Sequence, residues 1–219
     1  MPRTARIVAP GYPHHVTQRG NRRLQTFFSD ADYTTYLGLL SESLSRTQAA
    51  IWAYCLMPNH VHFVVAPGAQ TDLSKLFGNT HHRYARLVNA ANGWRGHLWQ
   101  ERFHSFVMDE QHLLAAVRYI ELNPVRAGLC KHAAEWRWSS VHAHLQARND
   151  DIVTVTPMLD RLSDWQCYLA EDDSPALEKS LREHSNTGRP AGNAKFIKAL
   201  EELTQRRLRP RKPGPQRES

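Results

Sequence analysis

Residues 56–65 read LMPNHVHFVV. Two apolar runs, 51–57 and 60–66, flank Met57-Pro58-Asn59. Proline and asparagine are turn residues, so the segment is predicted to be a β-hairpin. His60 and His62 stand at alternate positions of its second strand. Alternate side chains of a strand share a face. The two imidazoles should therefore project together, about 6–7 Å apart along the chain. Val61, Phe63 and Val65 point the other way and can bury against helices. Two neutral imidazoles on one face are half of a metal site. The competing reading is a pair of histidines on a solvated sheet face, and with 13 histidines in the chain alternation by chance is not rare.

Outward from the hairpin, residues 12–19, YPHHVTQR, alternate loosely and read as a strand with Gly20-Asn21 as its turn. Residues 30–48 read as a helix, with Asp30 as N-cap and Tyr33, Tyr36, Leu37, Leu40 and Leu44 at helical spacing. Residues 71–91 read as a second helix, capped by Thr71 or Asp72. Residues 98–108, LWQERFHSFVM, read as a strand, and 110–123 as a helix capped by Asp109. The order β-α-β-β-α-β with a further helix is the ferredoxin-like pattern. It predicts an α+β fold, an antiparallel sheet with helices on one face.

After residue 145 the pattern weakens. The expected organisation is a catalytic domain over 1–145 and a helical and loop extension over 146–185. A C-terminal GRP loop, short helix and basic tail should follow over 186–219. That tail, RPRKPGPQRES, is proline-rich and basic and should not fold alone.

The helix in 109–124, DEQHLLAAVRYIELNP, turns Leu113, Val117 and Ile120 toward the core. Tyr119 and Asn123 lie one turn apart on a flank beside that stripe. Pro124 should place Asn123 at the helix C-terminus. A phenol and an amide oxygen are thus offered together. Two imidazoles plus an amide oxygen, with positions left for water and substrate, suit Mg²⁺ or Mn²⁺. The plainer reading of Tyr119 is a core-edge aromatic, one of seven tyrosines.

Composition narrows the partner. The 219 residues are 41% hydrophobic and carry a formal net charge of +7. Arginines cluster at 19–23, at 83–95 and at 206–211, a placement that attracts polyanions. No apolar run reaches the ~18 residues of a membrane helix. The N-terminus lacks the apolar run of a signal peptide, so a cytoplasmic, nucleoid-associated protein is expected. Cys55, Cys130 and Cys167 form no C-x-x-C pair and are expected to be buried or half-buried thiols.

MPNHVHFVV resembles the histidine–hydrophobe–histidine motif of the single-tyrosine HUH transposases. YIELNPVRAGL (119–129) resembles the catalytic-helix motif of their REP-associated branch. HHVTQRGN (14–21), LWQERFHSFV (98–107), RWSSVHAHL (137–145), GRPAG (188–192) and RPRKPG (209–214) are similar to that branch too. The C-terminal elements set it apart from the short insertion-sequence enzymes of the same superfamily.

The resemblance implies an HUH endonuclease fold and an enzyme that cuts and rejoins single-stranded DNA beside a small hairpin, the repetitive extragenic palindrome (REP). It implies Tyr119 as nucleophile, leaving a 5′-phosphotyrosine link and a free 3′-hydroxyl. A Mg²⁺ or Mn²⁺ would sit on His60, His62 and Asn123, although related short transposases carry glutamine where Asn123 stands. It implies a monomer with tyrosine and histidines in one chain. Arg19, Asn21, Arg22, Arg83, Arg102, Arg189, Arg207, Arg209, Arg211 and Lys212 are the expected DNA contacts.

Two other readings use the same residues. One is a domesticated hairpin-binding module or regulator with little or no cleavage. The other is an RNA-binding module, which the absence of an RNP1-like string disfavours. No G-x-x-x-x-G-K-[ST] loop is present, in keeping with strand transfer without ATP.

Overall fold

The computed structural model describes residues 6–171 and 174–209. Four strands, β1 (His14–Arg19), β2 (Ala50–Met57), β3 (His60–Ala66) and β4 (His104–Val107), form one sheet in the order β2-β3-β1-β4. All neighbours are antiparallel. Helices α1 (Asp30–Leu44) and α2 (Asp72–Asn92) alternate with the strands in ferredoxin-like order. They are followed by α3 (Glu110–Glu121), α4 (Asn123–Arg126), α5 (Val141–Leu145) and α6 (Thr156–Leu159), then α7 (Trp165–Ala170), α8 (Pro175–Thr187) and α9 (Ala194–Thr204).

The fold class is as expected, but helices cover both faces of the sheet rather than one. Val61, Phe63 and Val65 bury with Tyr36, Leu40, Leu73 and Phe77 of α1 and α2. The other face, through Ala53, Cys55 and Val64, buries with Leu113, Val117 and Ile120 of α3. Met158, Trp165, Tyr168 and Leu181 of α6 to α8 join that second core. The apolar stripe on α3 needed a cover, and the sheet supplies it.

Boundaries differ for local reasons. Helix α1 begins one residue after Ser29, which forms a capping box with Asp32 and displaces Asp30 as cap. β4 starts at His104 because Leu98, Trp99 and Phe103 turn into the α1–α2 core. Trp99 there donates its Nε1–H to the His81 carbonyl at 3.1 Å. α3 ends at Glu121, and Asn123 opens α4 instead of closing α3. Pro124 then occupies the first turn of α4, where its missing N–H is not needed. Cys55 is buried and Cys130 half-buried, but Cys167 is exposed on α7; all three are free.

The GRPAG loop is fixed to the sheet edge. Ala191 N–H donates to the Val107 carbonyl at 2.8 Å, and Asp109 N–H donates to Ala191 at 2.9 Å. A Cβ on Gly192 would lie 2.3 Å from Phe196 and 2.9 Å from the Asp109 carboxylate, so only glycine fits. Leu200 of α9 and Leu208 bury against Ile7, Ala9 and Val107. The chain from Pro210 onward, with Arg211 and Lys212, lies outside the described residues. Among the described residues no helix is long and apolar enough to cross a membrane.

Candidate active site and DNA-facing surface

The register of β1 on β3 sets Thr17 opposite His62 and Arg19 opposite His60. His15, Thr17 and Arg19 therefore share a face with the two histidines. All five line one cleft of about 530 Å³, and Tyr119 of α3 enters it from the covering layer. The Tyr119 ring stands edge-on to His62, centroids 5.8 Å apart and planes at 82°. His60 and His62 lie 4.9 Å apart at 80°. The structure brings Tyr119, His60 and His62 together in this one cleft.

Burial keeps these rings neutral. It pulls the His60 pKa down to about 3, with the Arg19 guanidinium adding to the shift. It holds His62 well below its ordinary value, reinforced by His60, His15 and Arg19. His60 Nδ1 donates to Asn59 Oδ1 at 2.6 Å, which leaves its Nε2 lone pair available. His62 Nδ1 is held by His15 Nε2 at 3.1 Å, and His62 Nε2 is buried with no hydrogen-bond partner. An orphaned imidazole nitrogen beside a second free one fits a divalent cation. Asn123 fits less directly. It is buried with an unpartnered Nδ2, but it is not among the residues lining the cleft. Among the described residues, no three His, Cys, Asp or Glu side chains form a metal-holding group.

Two networks fix the helix that carries Tyr119. The Arg126 guanidinium lies 5.0 Å from the Tyr119 ring centroid and donates to the Tyr119 carbonyl at 2.9 Å. It also pairs with Glu178 of α8 at 2.9 Å. Behind the cleft, the fully buried Glu121 carboxylate accepts from Ser140 Oγ at 2.6 Å, His144 Nδ1 at 2.7 Å and Trp165 Nε1 at 2.8 Å. These bonds tie the end of α3 to α5 and α7. His15, Arg126, Glu121 and Glu178 are absent from the sequence-derived site. The strand parity of HHVTQR and the position of Arg126, seven residues past Tyr119, are the signals that point to the first two.

The expected DNA contacts divide by location. Arg102, Arg189, Arg207 and Arg209 converge with Arg6 and Arg206 on one groove of about 1000 Å³. This groove meets the Tyr119 cleft at Glu101, His104 and Asn186, which line both. Arg6 lies 3.6 Å over the Phe103 ring. Burial, then the nearby Arg102, lowers its pKa to about 10. Arg19 is in the cleft. Asn21 and Arg22 sit in the short 3₁₀ turn Asn21–Arg23 at its rim, outside the lining. Arg83 is elsewhere: it pairs with Glu42 at 2.7 Å, on the α1–α2 layer of the sheet.

Residues 10–123, just over half of the chain, match the family described as IS200-like transposases. The chain belongs to the IS200-like transposase family. It is 25% identical over 91 residues to the REP-associated tyrosine transposase of Escherichia coli K12. That match covers 41% of this chain and 53% of the relative, so the chain spans about half the relative's length. A solved structure of a REP-associated tyrosine transposase bound to a REP hairpin shares the fold. Its TM-score is 0.55 at 21% identity, over 70% of this chain and 92% of that one.

Proposed function

We propose that this transposase cleaves and rejoins single-stranded DNA beside a REP-type hairpin, with Tyr119 as nucleophile. The observation that carries the reading is the edge-on approach of Tyr119 to His62 in a cleft that opens into the arginine groove. Tyr119 Oη attacks the scissile phosphorus and releases its proton to water in the cleft. The P–O3′ bond breaks, and the leaving 3′ oxygen takes up a proton from water. The products are a 5′-phosphotyrosine link and a free 3′-hydroxyl. The link retains the phosphodiester energy, so a 3′-hydroxyl can reverse the step without ATP.

Arg19 and the groove arginines hold the phosphates in place. Arg126 and the Glu121 network hold the phenol. His60 and His62 would bind Mg²⁺ or Mn²⁺ through neutral Nε2 atoms, with Asn123 as the third donor. A cation there supplies charge to polarise the phosphate and favour the phenolate. All of these groups come from one chain, so a monomer suffices, working in the cytoplasm on nucleoid DNA.

A second reading, a hairpin-binding regulator with little cleavage, draws on Asn123 lying outside the cleft lining. A nicking assay on a REP-type hairpin oligonucleotide separates the two. The enzyme leaves a covalent adduct that EDTA abolishes and Mn²⁺ restores. A regulator only shifts the band.

A further inference from the structure

The loops on either side of the cleft, 20–29 and 93–101, run outward from it together. Gly20 bridges to Trp99, and Asn21 N–H donates to the Leu98 carbonyl at 2.8 Å. At their inner ends they supply Arg23, Gln100 and Glu101 to the cleft. At their outer ends they present large apolar groups to water. Trp94 is 48% exposed, Phe28 45% and Leu24 63%. The Trp94 and Phe28 rings meet edge to face, centroids 5.6 Å apart at 76°, so each keeps about half of its surface in solvent.

Cations lie on the same two loops. Arg95 follows Trp94 directly and is exposed, as are Arg22 and Arg23. Arg22 and Arg23 both hold left-handed backbone, φ 53° and 62°. Side-chain-bearing residues rarely adopt that conformation, and strain of this kind persists where surrounding contacts impose it. Asn59 helps hold this turn, donating from Nδ2 to the Arg23 carbonyl at 2.9 Å while its Oδ1 accepts from His60. One side chain thus fixes both a cleft histidine and the loop leading to the exposed rings.

We infer that Trp94 and Phe28 form a stacking platform for unpaired nucleotides that leave the cleft past Arg23. The inference rests on the proposed action on single-stranded DNA. Aromatic faces bordered by guanidinium groups are the chemistry that recognises single strands: rings stack on bases of any identity and cations follow the phosphates. Arg22, Arg23 and Arg95, exposed on the same two loops, supply the positive charge that a strand's phosphates require.

The test compares wild type, Trp94→Ala, Phe28→Ala and Trp94→Phe by fluorescence anisotropy. One probe is a REP-type hairpin with an unpaired tail; the other is the same hairpin without it. Each alanine variant should lose roughly 5- to 100-fold in affinity for the tailed hairpin. Affinity for the tail-less hairpin should stay unchanged, and Trp94→Phe should retain most of the tailed affinity. Equal losses on both probes, or no loss on either, overturn the platform. So does a change in oligomeric state on Trp94→Ala, which would make the patch a protein interface. If wild type forms its adduct on the tailed hairpin while the alanine variants bind like wild type, the platform falls and the active-site reading stands. If wild type neither binds that probe nor forms an adduct, both fall.

Discussion

The Arg126 guanidinium lies over the Tyr119 ring at 5.0 Å and is itself paired with Glu178 on α8 at 2.9 Å. Through it, a helix from outside the ferredoxin-like sheet braces the proposed nucleophile. Removing the brace should affect chemistry more than binding. Glu178→Ala is expected to slow single-turnover adduct formation about 10- to 100-fold, with hairpin affinity near wild type. An unchanged rate would show that Tyr119 is held by α3 alone.

His15 should matter to metal affinity although it is not a proposed ligand. Its Nε2 holds His62 Nδ1 at 3.1 Å, with the rings within 5° of parallel. A histidine ligand whose outer nitrogen loses its partner is less well oriented. Mn²⁺ affinity of His15→Ala should fall about 10- to 100-fold, read by titration calorimetry without DNA. Binding equal to wild type removes His15 from the site.

Glu121 should be a stability determinant. Alanine there would leave the buried donors of Ser140, His144 and Trp165 without their acceptor. A loss of about 3–5 kcal/mol is expected in urea unfolding. A loss under about 1 kcal/mol would mean that those donors find other partners.

Acid should destabilise the fold through histidines remote from the chemistry. Burial lowers the His14 pKa to about 4 and that of His81 to about 3. Their ordinary value is 6.5, so between these limits the unfolded chain binds more protons than the folded one. Stability contributed by keeping them neutral is full above pH 6.5. It falls as pH drops toward 4 for His14 and toward 3 for His81, by roughly 1.4 kcal/mol per pH unit for each. Unfolding free energies that agree at pH 7 and pH 5 would contradict this.

The parts of the fold legible in the sequence are those written in local periodicity. Alternation around Pro58-Asn59 gives the hairpin, its buried face and the shared direction of His60 and His62. The helical spacing of Leu113, Val117 and Ile120 gives α3 and the flank that carries Tyr119. What covers α3 is not local. α8 buries only Leu181 fully, and its place is set by partners far along the chain, such as Arg126–Glu178 and His112–Ser180. Alternation likewise puts His15, Thr17 and Arg19 on one face, but only the pairing of Thr17 with His62 brings His15 against the site. The arginines follow the same rule. Arg102, Arg189 and Arg207 are scattered in sequence and meet because the GRPAG loop pairs with the end of β4. Arg83, similar to them in sequence terms, faces Glu42 on the other layer.

The central claim is that Tyr119 becomes covalently joined to DNA. Wild-type protein incubated with Mn²⁺ and a REP-type hairpin bearing single-stranded flanks, then digested and analysed by mass spectrometry, tests it directly. The expected product is the peptide containing Tyr119 with a 5′-phosphonucleotide on its phenol, absent from Tyr119→Phe and from reactions in EDTA. An adduct on any other residue, or nicked DNA without an adduct, would contradict the account.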